Sequence, residues 1–200
     1  LEDGNPYHGY VWGDLLAALD FVAVAPLPGM QTSPTIEKIR SYQHPGHVNA
    51  LVFGDVFPLG NEALARWAPW HTALRRFSSL WLAQPYGNAD GGVPHGLLSP
   101  DGRPEAQLLA LAEAARPLRA GIGALILNAN RSEADIAILD SRPSRHLNDV
   151  DPRFGVGVLD AEAAFAAWLD LLGFPYDFID RSRLVAGGLS GRRLLVLPMS

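Results

Sequence analysis

The feature that most restricts this chain is a short apolar run that stops in Gly- and Pro-rich polar sequence and recurs after a helical stretch. Ala50–Phe57 and Ser78–Gln84 are two such runs, and Asn61–Phe77, with Ala, Leu and Trp at helical spacing, lies between them. Runs with little polar alternation suit strands covered on both faces, as in parallel sheets flanked by helices. Side chains just past the carboxyl ends of such strands face the ligand crevice or barrel mouth. This singles out Asp55, Gln84, Tyr86, Asn88, Asp90 and His95.

The same alternation extends in both directions. A helical pattern over Trp12–Leu19 precedes a strand over Asp20–Pro26, and Thr35–Tyr42 reads as a short helix before the Ala50 run. Pro69 is expected to kink or divide the Asn61–Phe77 helix. Pro104 to about Asn128 is helical, starting at a proline and interrupted by Pro117. After the polar Asn128–Ser132 the pattern restarts, with strand Ala134–Asp140, helix Asp160–Leu172, and strands Tyr176–Ile179 and Leu194–Pro198. A domain boundary is therefore expected near Asn130, with parallel sheets on both sides. The start without Met and the stop after a strand lead us to expect a piece of a longer protein.

Composition narrows the function classes. A net charge of −5, with 16 basic residues scattered along 200, offers no footprint for nucleic acid. The absence of cysteine excludes a disulfide scaffold, a Cys-ligated zinc and a thiol nucleophile within these residues. Trp67, Trp70 and His71 share a helix without further ligands at metal-binding spacing, so they read as packing residues. No run approaches the ~20 apolar residues of a membrane span. The expectation is a protein of the cytoplasm, with no membrane or nucleic-acid partner, no cofactor and no metal.

Individual residues remain open at this level. Asp55 ends an apolar run and reads equally as a carboxylate facing the mouth or as a helix cap. His95 is either a ligand for a hydroxyl group or a solvated loop residue, and Asn88 and Asp90 resemble turn formers before sugar ligands. Trp81, beside Gln84 and Tyr86, suits either the apolar face of a sugar or a buried core. Gly121-Ile122-Gly123 lies inside a helical run and is no dinucleotide fingerprint.

Several stretches taken together resemble the β-galactosidases of glycoside hydrolase family 42. WGDLLAALDFVAVAPLP is similar to that family's sixth barrel strand and its approach, and LVFGDVFP to the strand that ends in the nucleophile. SSLWLAQPYGNADGGVPHGLLSPDG is similar to the last strand and its loop. The resemblance implies the C-terminal part of a TIM (β/α)8 barrel over residues 1–129. Residues 130–200 would begin a flavodoxin-like, class I glutamine amidotransferase-like trimerisation domain. It implies a carbohydrate substrate, assembly as a homo-oligomer (a trimer), and retaining hydrolysis by two carboxylates about 5–5.5 Å apart.

Asp55 then stands where the family has its Glu nucleophile, and His95 where a His contacts the sugar. Trp81, Gln84, Tyr86 and Asp90 join the substrate end, and the acid/base lies upstream of Leu1. Three positions depart from the family: Asp55 is one methylene short, Leu27-Pro28 replaces Tyr-Pro, and Gly92 replaces an acidic residue. A carboxylate set back by about 1.5 Å bears on rate, because misplacement by about 1 Å costs ~100-fold. The competing expectation is a catalytically inactive barrel that binds carbohydrate or serves as a scaffold. A further one is an enzyme of the same clan with another sugar specificity.

Overall fold

The computed structural model describes residues 16, 18–24, 34–42, 48–53, 61–82, 96–129, 134–151 and 157–198. By its contacts the chain divides into two compact units. The first comprises Leu1, Asp20–Gln31 and Gly46–Asn130; the second comprises Glu2–Leu19, Thr32–Pro45 and Arg131–Ser200.

The first unit is built on strands β1 (Phe21–Val24), β2 (Val48–Phe53) and β3 (Ser79–Leu82). They form a parallel sheet in the order β1-β2-β3. Between β1 and β2 the chain forms helix α1 (Pro34–Tyr42), which belongs to the second unit. Between β2 and β3 runs α2 (Glu62–Leu74), capped by the Asn61 side chain, which accepts from Leu64 N at 2.9 Å. Buried Ala65, Ala68, Pro69, Thr72 and Ala73 lie at i, i+3, i+4, i+7 and i+8, the stripe that a helix turns to its core.

Of the kink or division expected at Pro69, division does not occur, and α2 remains one helix through it. Ala65, one turn before the proline, and Ala68, beside it, are small and buried. The Thr72 hydroxyl donates to the Ala68 carbonyl at 2.8 Å on the next turn.

Helix α3 (Ala106–Pro117) packs against α2 through Ala110 and Leu111. Of the one or two helices left open by Pro117, two are present, and the break is a wide turn over Leu118–Ile122, just beyond the proline. Gly121 there has φ 129, a conformation that suits glycine, and α4 (Gly123–Asn128) follows.

The second unit carries β4 (Ile136–Leu139), α5 (Arg142–Val150), α6 (Val158–Leu172), β5 (Tyr176–Ile179), α7 (Arg181–Val185) and β6 (Leu194–Val196). Its strands are parallel in the order β5-β4-β6. The sequence pattern places no element over Arg142–Val150, whose RPSRHLNDV is mostly polar and charged. Its start was nevertheless marked: Ser141 accepts from Ser144 N at 3.3 Å, and Pro143 falls in the first turn. Helix α6 buries Val158, Glu162, Ala166 and Leu169 and ends at Gly173, φ 72, where Phe174 N reaches the Leu169 carbonyl at 3.0 Å.

Beside that face, α6 exposes Phe165, Trp168, Leu171 and Leu172. Trp168 is 57% exposed. Ala166 and Leu169 lie on the buried side, and Trp168 is turned about 100° around the helix from Leu169, away from both.

Candidate functional site

In the first unit the three strands run parallel, so their carboxyl ends, Val24, Phe53 and Leu82, lie at one end of the sheet. Asp55 follows Phe53 by two residues, and Gln84 follows Leu82 by two. Asp55, Gln84, Tyr86, Asn88, Asp90 and His95 all fall outside the described residues. Trp81 is described. Its partner in register is Val52, and its ring stacks on Phe21 with centroids 4.9 Å apart and planes at 25°. It is 48% exposed, so it is an accessible aromatic surface rather than a core filler.

Phe21 was not singled out from the sequence. Strand alternation and register put Phe21, Ala50 and Trp81 on one face and Val22, Leu80 and Leu82 on the other. Two offset aromatic rings on one face make a flat apolar platform.

The segment that follows His95 is tightly organised. Leu98 bridges Pro104 in antiparallel fashion, and Glu105 N donates to the Leu97 carbonyl at 2.9 Å. The Ser99 hydroxyl donates to Asp101 and accepts from Arg103 N at 3.1 Å. A turn fixed in this way returns the chain directly into α3.

His71 on α2 stacks on Trp67, with ring centroids 4.0 Å apart. Burial, aided by the positive charge of Arg75, pulls its pKa down to about 4. The pair packs as expected. Among the described residues no group of three or more His, Asp or Glu is placed to hold a metal. No helix among them is long and apolar enough to cross a membrane.

Titratable groups concentrate in the second unit. Lys38 Nζ donates to Glu162 Oε2 at 2.6 Å and lies 3.4 Å from Asp140 Oδ1, which Arg145 Nη1 approaches at 2.5 Å. Burial holds the Glu162 carboxyl above the usual carboxylate range against the pull of Lys38. Burial, with Asp140 nearby, likewise raises the Tyr42 phenol. None of these residues was singled out from the sequence, since TIEKIRSY carries the charge pattern of a solvated helix.

No protein-family model matches the chain, and no curated protein matches it in sequence. Solved structures do. A β-galactosidase from Bacillus circulans sp. alkalophilus superposes with a TM-score of 0.69 at 14% identity, over 93% of this chain and 29% of that one. A β-galactosidase from the psychrophilic Marinomonas ef1 gives 0.61 at 15% identity, over 94% of this chain and 34% of that one. A GH5_18 protein from Streptomyces cattleya, solved in complex with GlcNAc, gives 0.54 at 16% identity, over 86% and 44%.

The fold is shared with glycoside hydrolases. At these identities the likeness supports the glycoside-hydrolase TIM-barrel fold without singling out family 42, and the chain spans less than half the length of each of these proteins.

Proposed function

We propose that this chain is part of a retaining glycoside hydrolase, β-galactosidase-like in its chemistry, with Asp55 as the nucleophile. Residues 1–129 form the end of its (β/α)8 barrel, and residues 130–200 begin an amidotransferase-like domain that assembles the protein as a homo-oligomer. The observation that carries the reading is the superposition of nearly the whole chain on β-galactosidases from two organisms. The parallel order β1-β2-β3 supports it, because Asp55 and Gln84 follow the carboxyl ends of adjacent strands.

In this mechanism the Asp55 carboxylate attacks the anomeric carbon as the leaving oxygen departs. A second carboxylate, from another part of the full-length protein, first protonates that oxygen and then activates water to release the sugar. His95, Gln84, Tyr86 and Asp90 bind sugar hydroxyl groups, and Trp81, backed by Phe21, offers an apolar ring face. The proposal requires Asp55 and Trp81 to reach one sugar from adjacent strands. The exposed Phe165, Trp168, Leu171 and Leu172 supply apolar surface for assembly.

The test is kinetic. In the full-length protein, hydrolysis of a nitrophenyl β-galactoside should fall by at least ~1,000-fold in Asp55→Asn while sugar binding persists. An unchanged rate removes Asp55 from the mechanism. A wild-type protein that binds galactosides in calorimetry and hydrolyses none favours the inactive, carbohydrate-binding barrel, to which the shorter Asp55 side chain already points.

A further inference from the structure

Against β5, the second unit holds a cavity of about 470 Å³. That is the size of a small-molecule site, ~300–1,000 Å³. Phe178 and Ile179 give it an apolar side, and Arg183, Gly188, Ser190 and Arg192 bring polar groups from α7 and the turns after it. Among the described residues no acidic side chain lines it.

Both guanidinium groups are held in place without a ligand. Arg183 Nη1 donates to the Ser41 carbonyl at 2.6 Å, and its guanidinium lies 4.6 Å from the centre of the Tyr42 ring. Arg192 donates from Nε to the Gly188 carbonyl at 3.2 Å, and from Nη1 to the Ala134 carbonyl at 2.6 Å and to Asp177 Oδ2 at 2.9 Å. A guanidinium carries five N–H donors, so each group keeps donors beyond these bonds. A side chain already fixed loses little rotamer freedom when it binds. A Cβ at Gly188 would lie 2.7 Å from the Arg183 carbonyl oxygen and 2.8 Å from Ile179 Cδ1, so glycine lets the turn close on β5 and leaves that wall bare.

Charge selects the ligand. Asp177 neutralises Arg192, whereas Asp180 Oδ1 accepts from the Arg183 backbone N at 2.8 Å and not from its guanidinium. Arg183 therefore has no carboxylate partner among the described residues, and one positive charge on the cavity wall is left to balance. A carboxylate is a planar monoanion that matches the edge of a guanidinium through two parallel bonds. A dianion would bring its second charge toward Asp177.

The geometry points to a binding site for a small organic carboxylate, with its anionic group on Arg183 beside Arg192 and Ser190 and its apolar part on Phe178 and Ile179. All of these residues belong to the second unit, so the site does not rest on the proposed chemistry at Asp55.

Calorimetric titration of the full-length protein tests this with 3-phenylpropionate and its neutral counterpart, 3-phenylpropionamide. The acid should bind at least ~10-fold more tightly than the amide, as the loss of hydrogen bonds to a charged group requires. Arg183→Gln should weaken binding of the acid by at least ~10-fold. Because Arg183 also holds Ser41, Ser190→Glu serves as a second variant at an exposed position. Its added carboxylate should compete for the guanidinium groups and weaken the acid by at least ~10-fold, with the melting temperature unchanged. Equal affinity for acid and amide, no binding of the acid at millimolar concentration, or undiminished binding in Ser190→Glu overturns the inference. Inorganic phosphate binding more tightly than the acid overturns the choice of a carboxylate.

Discussion

Acidification should weaken the first unit through one residue, His71. Its imidazole is stacked on Trp67 and largely buried on α2, with Arg75 one turn away, and its pKa falls from 6.5 to about 4. In the unfolded chain the same group titrates near 6.5, so below that pH the unfolded state takes up a proton that the folded state refuses. The stability contributed by the neutral ring is fully present above pH 6.5 and is lost as pH falls toward 4. At ~1.36 kcal/mol for each pH unit separating the two pKa values, the loss approaches roughly 3 kcal/mol, less some relief from partial exposure.

The assay is urea unfolding followed by tryptophan fluorescence between pH 7.5 and 4, on wild type and on His71→Phe, which keeps a ring against Trp67 but cannot titrate. Other groups titrate alike in both proteins, so the difference between them isolates His71. That difference should shift against the wild type by roughly 2–3 kcal/mol across the range. A difference constant to within a few tenths of a kcal/mol, or a His71 pKa near 6.5 by NMR, would refute the reasoning.

Glu162 should act in the opposite direction. Burial raises its pKa, and the charged groups facing it are Lys38 from α1, Asp140 from the end of β4 and Arg145 from α5. Its proton favours the folded state, so wild-type stability should decline as pH rises through the raised value, and Glu162→Gln should flatten that decline in the same urea series. Gly173→Ala should lower stability by about 1 kcal/mol, since φ 72 opposes a side chain while no atom lies within 4 Å of the added carbon; a melting temperature unchanged to within 1 °C would contradict this. Trp168→Ser should leave unfolding free energy within ~0.5 kcal/mol, whereas Ala166→Leu, on the sealed face of the same helix, should cost about 1–3 kcal/mol. If α6 contributes to assembly, Trp168→Ser should also lower the sedimentation coefficient.

The strands were legible because runs such as Ala50–Phe57 and Tyr176–Ile179 lack the alternation of a half-exposed sheet, and the described cores Val48–Phe53 and Tyr176–Ile179 fall on them. Helix α5 was missed because its residues have no apolar stripe, although a serine cap and an early proline marked its start. The continuity of α2 through Pro69 was hidden because it depends on the α3 face that the helix meets, which is not a local signal. Least legible was α1. Glu37, Lys38 and Arg40 suit solvent in any periodicity argument, and only the tertiary positions of Asp140, Glu162 and Phe178 explain why they are buried. At the candidate site, the sequence pointed to Trp81 as either core or sugar surface. Its stacking on Phe21 could not be read, because it depends on the register of three strands.

The central claim is covalent chemistry at position 55, and trapping tests it most directly. The full-length protein, incubated with a 2-deoxy-2-fluoro β-galactosyl fluoride and digested, should yield one glycosylated peptide, with the sugar on Asp55 by tandem mass spectrometry. An active protein whose trapped sugar sits on any other residue would contradict the account.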